Sequence, residues 1–305
     1  MAIRISNNMI SSVMLKNSQI ATERQYKIQQ QISTGQKFQL SSENPYDAMQ
    51  ILKIRDQISE LEDWENNLAN AKDQLEMSYD TLTLVEENLQ RINDLTVRLA
   101  NNINSPETNR AIMAEINERT KTLQELANTQ YEGDYIFGGS NTKNPPYALA
   151  DDMSITYSGS THDQNWQKLL EVASGEELQT NVLGLDIFGD STKGIFKAVK
   201  DLNTIAETEP IDVEAVMSIV EKEIQGSIMS ITDSMSELGA YSSRADVAQS
   251  INEKMTVRLK ENKTDLSETD LVQAASDLSL AQTSLKATLQ VGAMLLGGAS
   301  LLDYI

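Results

Sequence analysis

The strongest pattern in the chain is a leucine at every seventh position: Leu61, Leu68, Leu75, Leu82 and Leu89. Trp64, Ala71, Ser78, Val85 and Ile92 occupy the complementary offset. Consecutive heptads of this kind predict one long helix packed along a narrow seam. Asn44-Pro45 supplies its start, a capping residue followed by a first-turn proline. From Pro45 to Ile103 such a helix, even with a kink, could run to about 80 Å at roughly 1.5 Å per residue, which predicts an elongated rod. Ser105-Pro106-Glu107 repeats the start signal and predicts an antiparallel return helix through Ile112, Ile116, Leu123 and Leu126 to about Thr129.

Both ends carry helical stripes as well. The first block runs from Ser6, a candidate cap, to Ser33, with Ile10, Val13, Ile20, Ile28 and Ile32 apolar and Ser33-Thr34-Gly35 as its stop. Its polar side is rich in Asn and Gln, which suits a packed assembly. At the other end Ser267-Glu268-Thr269-Asp270 fits a capping box. Leu271, Leu278 and Leu285 then recur every seven residues, with Ala274, Ala281 and Leu295 at the complementary offset. Beyond Leu285 the apolar residues Leu289, Val291, Met294, Leu295, Leu296, Leu301, Leu302 and Tyr304 cover almost every direction around a helix. A helix without a solvent face needs several neighbours to bury it.

Between these helical blocks the period changes. Tyr135-Ile136-Phe137 with Gly138-Gly139-Ser140-Asn141, then Asn144-Pro145-Pro146-Tyr147, Ile155 to Gly159 and Asn181 to Phe188 read as strands and turns. They predict a small β-rich domain over about 131–194. Helix returns at Ile195 to Ala206, again from Pro210 to near Gly239, and from about Ser243 to Asn262, with a break at Lys263 to Leu266. The fold class expected is mainly α: an elongated rod of paired N- and C-terminal helices with a β-rich insert. Its divisions fall at 1–44 (N-terminal core helix and connector), 45–130 (rod helices), 131–194 (β-rich outer domain), 195–266 (rod helices) and 267–305 (C-terminal core helix). The first and last blocks each have an apolar stripe and no other mate, so they pair.

A formal net charge of −20 excludes the concentrated basic surface that nucleic acid requires. The acid is uneven. Up to Gln50, Arg4, Lys16, Arg24, Lys27 and Lys37 outnumber Glu23, Glu43 and Asp47, whereas about 131–240 holds most of the excess acid. The middle is therefore read as solvated and the ends as buried or associating, although helix ends in small bundles are also often near neutral. There is no cysteine, so disulfides, thiolate metal sites and cysteine nucleophiles are out. Arg4, Ser6, Asn7, Asn8 and Lys16 interrupt any amino-terminal apolar run, and a cleaved secretory signal is not expected. Lys286 and Gln290 interrupt the apolar tail, whose remainder is shorter than the roughly 20 residues a bilayer needs.

No catalytic constellation can be assembled. His162, beside Asp163, is the only histidine and is read as solvated. Gly138-Gly139-Ser140 lacks the lysine and preceding buried strand of a phosphate loop. Asp151-Asp152 and Glu176-Glu177 lack the ligand spacing of a calcium loop and are read as solvated. Trp64 is read as packing, with Trp166 the other tryptophan a groove could use. No catalytic, metal or cofactor residue is expected, and no cofactor.

Several stretches together resemble the flagellin superfamily. Arg4-Ile5-Ser6, then Gln31-Ile32-Ser33-Thr34-Gly35-Gln36-Lys37 and Ser41-Ser42-Glu43-Asn44-Pro45-Tyr46-Asp47-Ala48, are similar to its amino-terminal signature, with Asn44 where Asp is usual. Tyr135 to Ser140, Pro145-Pro146-Tyr147 and Tyr157-Ser158-Gly159 are closer to its hook–filament junction members than to its filament subunits. Leu238-Gly239-Ala240-Tyr241 resembles the turn of the rod, and Leu266 to Leu271 and Ser300 to Ile305 resemble the terminal helix.

The resemblance implies an extracellular, non-enzymatic structural protein of the bacterial flagellum, with terminal helices that fold on assembly. It implies export, unfolded and without a cleaved signal peptide, through the flagellar type III apparatus after a cytosolic chaperone has covered the last helix. Other copies in a ring, the proximal hook-associated protein and flagellin are the implied partners, with no nucleic acid and no membrane insertion. On this reading Leu271, Leu278, Leu285, Leu289, Leu295, Leu296, Leu301 and Leu302 serve assembly and the chaperone, and Ile10, Val13, Ile20, Ile28 and Ile32 form the amino-terminal assembly helix. The heptad leucines 61 to 89 form the rod core. A filament subunit and a type III translocator or needle-tip protein remain alternatives.

Overall fold

A computed structural model describes residues 7–101, 104–150, 152–162, 165–208 and 211–302. The candidate cap Ser6, Ile103, Asp151, Asp163, Pro210 and the segment Asp303 to Ile305, with Tyr304, lie outside the described residues. The chain divides into two units, residues 60–254 and the two chain ends, 1–59 with 255–305.

Helix α1 spans Asn7–Thr34, α2 Pro45–Leu99 and α3 Pro106–Ala127. The interior of α2 holds neither glycine nor proline, so nothing in the sequence breaks it over its 55 residues. Asn44 caps it, its Oδ1 accepting from the Asp47 amide at 3.2 Å. Ser105 caps α3 in the same way, accepting from the Thr108 amide ahead of Pro106 in the first turn.

Within the unit 60–254, all five heptad leucines are buried, and so are Ala71, Ser78, Val85 and Ile92; Trp64 is half-buried. The buried stripe continues through Leu95 and Leu99 and meets Ile116 and Leu123 of α3 in one cluster. Each such leucine contributes on the order of 1.5–3 kcal/mol by leaving water. Arg91 bonds Glu115 at 2.7 Å and Arg119 bonds Asn88 at 3.1 Å, so α3 runs back antiparallel to α2.

Beyond Asn128 come three separate two-stranded hairpins, not one sheet. They are β1 (Gln130–Tyr131) with β2 (Asp134–Tyr135), β3 (Tyr147–Leu149) with β4 (Ile155–Tyr157), and β5 (Leu169–Ala173) with β6 (Glu176–Gln179). Strands this short cannot hold themselves together, and each must lean on something else. The last hairpin leans on helices: Val172 and Leu178 pack with Leu68, Ala71, Ala245 and Ala248, while Asn67 and Asn252 donate to the Glu171 and Val172 carbonyls. The expected strand Tyr135-Ile136-Phe137 ends at Tyr135, because Ile136 and Phe137 turn into the core. Asn181 to Phe188 is not strand either, since it contains the helical turn α4, Gly184–Ile187. The glutamates of the β5–β6 hairpin give it the look of a solvated loop; one face is exposed, and Val172, Leu178 and Gln179 are buried.

Tyr147 is the hub of this region. Its ring packs on Tyr157, Phe188 and Phe196, at centroid distances of 5.0, 5.5 and 5.5 Å. Its backbone is gripped by Asn128, which donates to the carbonyl at 2.7 Å and accepts from the amide at 3.0 Å. Its hydroxyl donates to the Gly189 carbonyl at 3.1 Å. Gly189 and Gly194 both sit at positive φ, and a Cβ on either would collide with the other's strand of backbone. That close crossing leads into α5, Ile195–Ala206.

Helix α6 (Val213–Ile219) is capped by Asp212, whose side chain accepts from the Ala215 amide at 3.0 Å. A π-helical segment, Val220–Ile224, joins it to α7, Gln225–Ser267. Glu223 in that segment accepts from the Gly194 amide and pairs with Lys197 at 3.5 Å. No break occurs at Gly239 or at Lys263 to Leu266: α7 is one helix of 43 residues, and Gly239 lies exposed within it. A glycine inside a helix costs only about 1 kcal/mol, which the packed face of Ile231, Ser234, Leu238 and Ala245 offsets. Helix α8 spans Leu271–Leu302.

Candidate assembly surface

The unit formed by the chain ends is built on α1 and α8, which lie antiparallel along each other. Its seam is made of small side chains. Ala274 and Ala281 of α8 are buried against Ile28 of α1, with Ile32 and Leu278 half-buried beside them. Farther along, Gly292 is buried and a Cβ placed there would meet the Met14 methyl at 2.6 Å. On α1 the covered positions include Met14, Ser18, Ala21, Gln25, Ile28 and Ile32, which form a heptad stripe that the spacing of isoleucines does not show. Val13 and Ile20 lie off that stripe, 52 % and 54 % exposed, and the side chain of Ile10 lies outside the described residues.

The leucine heptad of α8 is likewise off-centre. Leu271 is exposed, Leu278 and Leu285 are half-buried at the edge of the seam, and the alanines carry the centre. Leu289, Val291 and Met294 are exposed, Met294 to 73 %, while the side chains of Leu295, Leu296, Leu301 and Leu302 lie outside the described residues. Seventeen of the twenty-five exposed large apolar residues among the described residues lie in this smaller unit. Exposed apolar residues are thus concentrated in this unit.

A second link joins the ends next to the seam. Gln36 and Glu268 form an isolated antiparallel bridge. The Lys37 amide donates to the Ser267 carbonyl and the Thr269 amide to the Gly35 carbonyl, both at 2.8 Å. The Lys37 ammonium reaches the Asp265 carbonyl, and Gln31 donates to the Lys37 carbonyl at 2.7 Å. Gly35 takes φ +69° to enter this clasp, a conformation that glycine adopts without strain. The expected capping box is displaced by it. Ser267 ends α7 and donates to the Lys263 carbonyl, and Asp270 caps α8, accepting from the Val272 and Gln273 amides at 2.9 and 3.1 Å.

The polar side chains of the β-rich region have structural partners. His162 is not simply solvated: its Nε2 lies 2.9 Å from Asp186 Oδ1, and its ring stands edge-on to Trp166. Asp152 holds the Ser154 amide and hydroxyl, and Glu176 lies 3.5 Å from Arg244. Gly139 is pressed against Ser160, whose hydroxyl bonds Ser140 at 2.7 Å. Among the described residues no group of three His, Cys, Asp or Glu could hold a metal ion, and no helix is long and apolar enough to cross a membrane.

The bacterial flagellin N-terminal helical region matches residues 5–142, from α1 through α3 into the β hairpins. Over this stretch, somewhat less than half of its length, the chain is similar to that family. No curated protein matches the sequence. Among solved structures, a Vibrio parahaemolyticus chain described as a flagellar hook-associated protein superposes with TM-score 0.66 at 16 % identity, covering 74 % of this chain and 100 % of that one. Bacillus cereus FlgL gives 0.55 at 24 % identity over 70 % and 99 % of the two chains. The flagellar junction protein FlgL of Legionella pneumophila gives 0.57 at 15 % over 72 % and 99 %. The chain thus shares its fold with these structures over nearly their whole length.

Proposed function

We propose that this protein forms the junction between hook and filament of a bacterial flagellum, the structure on which flagellin polymerises. It is a structural protein of the flagellum and not an enzyme. The observation that carries this reading is the α1–α8 pair: opposite chain ends meet through a thin alanine seam and turn exposed apolar residues outward. Neighbouring subunits are what can cover that surface, so folding of the ends and assembly are coupled. The fold shared with hook-associated chains favours the junction over the filament.

On this reading the partners are further copies in a ring, the proximal hook-associated protein on one side and flagellin on the other. Before export α8 is covered by a cytosolic chaperone, and the chain leaves through the flagellar type III apparatus to its extracellular place. Val13 and Ile20 on α1, and Leu289 on α8, serve these contacts. Deleting the gene tests the proposal. The expected result is intact hooks, no attached filament and unpolymerised flagellin in the medium; normal filaments would overturn it, and filament-scale abundance of this chain in sheared flagella would make it a flagellin.

A further inference from the structure

We propose that the clasp between Gly35–Lys37 and Ser267–Thr269 sets the register of the α1–α8 pair, which the seam cannot set for itself. The seam is close to degenerate. Sliding α8 by one heptad so that Ala281 takes the place of Ala274 also puts Leu285 at the place of Leu278 and Ala299 at that of Gly292, while the edge held by Leu285 passes to Gly292; the opposite slide is resisted where Leu285 would meet Met14. Among the described residues no side-chain hydrogen bond and no ion pair crosses from α1 to α8 to penalise the slip. Alanine and glycine contacts favour close approach but discriminate poorly between registers, as polar or charged seam residues would not.

The clasp has the missing specificity. Its two backbone hydrogen bonds, which together make the bridge, can form at only one alignment, with Gln36 opposite Glu268. Counted out from that pair along antiparallel helices, Met14 falls within two residues of opposing Gly292, and that is where it lies. The alignment chosen at the clasp is therefore kept over the whole described seam. A one-heptad slip would displace α8 by about 10 Å and put a different set of apolar side chains outward at every level. Neighbouring subunits read that outward set, so a correct register must be fixed before they dock. The inference concerns the single chain and stands whether or not the chain acts at a flagellar junction.

The absence of native cysteine makes the register directly readable. In the full-length chain, Met14→Cys is combined in turn with Gly292→Cys, Leu285→Cys or Ala299→Cys and treated with a thiol cross-linker shorter than the slip. With the clasp intact, the first pair is expected to link at least about tenfold faster than either slipped pair. Thr269→Pro removes the amide that bonds Gly35 and Lys37→Pro the amide that bonds Ser267. Either is expected to bring the three rates within about threefold of one another, with the thermal unfolding of 60–254 unchanged. Preference for the Gly292 pair surviving both substitutions would overturn the proposal, as would equal rates in the chain with its clasp intact.

Discussion

Met14 and Gly292 touch across the α1–α8 seam so closely that a Cβ on the glycine would lie 2.6 Å from the Met14 methyl. The methyl is the far end of a flexible side chain, so a small intrusion can be accommodated by rotation. Gly292→Ala is therefore expected to change the pair by less than about 1 kcal/mol, since the better helix propensity offsets the repacking. Gly292→Leu has nowhere to go and should cost about 1–3 kcal/mol. Amide hydrogen exchange in α8 of assembled protein distinguishes the two: alanine keeps native protection, leucine loses it from Leu285 onward.

The leucine ladder and the outer face of α2 give a second contrast. Leu82 is fully buried, whereas Leu84, two residues on, is 48 % exposed. Leu82→Ala should cost about 2–5 kcal/mol, and Leu84→Ala less than about 1 kcal/mol. At roughly 2–4 °C per kcal/mol for a unit of this size, calorimetry should show a drop of about 5–15 °C for the first and almost none for the second.

Alkaline stability depends on Tyr147. Burial first, then the nearby Tyr157, Asp190 and Asp186, hold its phenol well above the ordinary 10.0. Unfolding lets the phenol ionise near pH 10 while the folded protein retains the proton. Its contribution is thus complete below pH 10 and is lost as pH rises above it, by up to about 1.4 kcal/mol per pH unit. Burial raises Tyr157 as well, so the two tyrosines act in the same direction. Tyr147→Phe should cost about 1–2 kcal/mol at neutral pH, by leaving the Gly189 carbonyl without its donor, and should flatten the decline above pH 10. Urea titrations at pH 7 and between pH 9.5 and 11 measure both effects.

What could be read in the sequence was what repeats. The heptads of Leu61 to Leu89 and the cap-proline pairs at Asn44 and Ser105 write their geometry locally, and α2 and α3 follow them. On α8 the heptad leucines point to Ala274 and Ala281 beside them, but on α1 Ser18, Ala21 and Gln25 leave little mark on a hydrophobic pattern in which Val13 and Ile20 stand out. The Ser267 capping box failed for a different reason. Its residues have the right types, but the backbone at Ser267 and Thr269 is engaged by Gly35 and Lys37, more than 200 positions away, and the cap moves to Asp270. Gly239 misled in the opposite direction, since a helix packed on one face tolerates a glycine on the other.

The exposed side of α8 separates folding from assembly. Val291 and Met294 face outward, while Gly292 between them faces α1. Val291→Asp with Met294→Asp puts charge on the outer surface without entering the seam, so neither the leucine ladder nor the clasp is disturbed. The variant should show the thermal unfolding of the unaltered protein within about 2 °C, because exposed substitutions change stability by roughly 0.5 kcal/mol or less. Burying either carboxylate against a neighbouring subunit would cost several kcal/mol, enough to abolish incorporation. Cells carrying only this variant should therefore have hooks without filaments while secreting the protein. Normal filaments would mean that this face of α8 remains open to water in the assembled structure, and the covering neighbours would have to be sought along α1, at Val13 and Ile20.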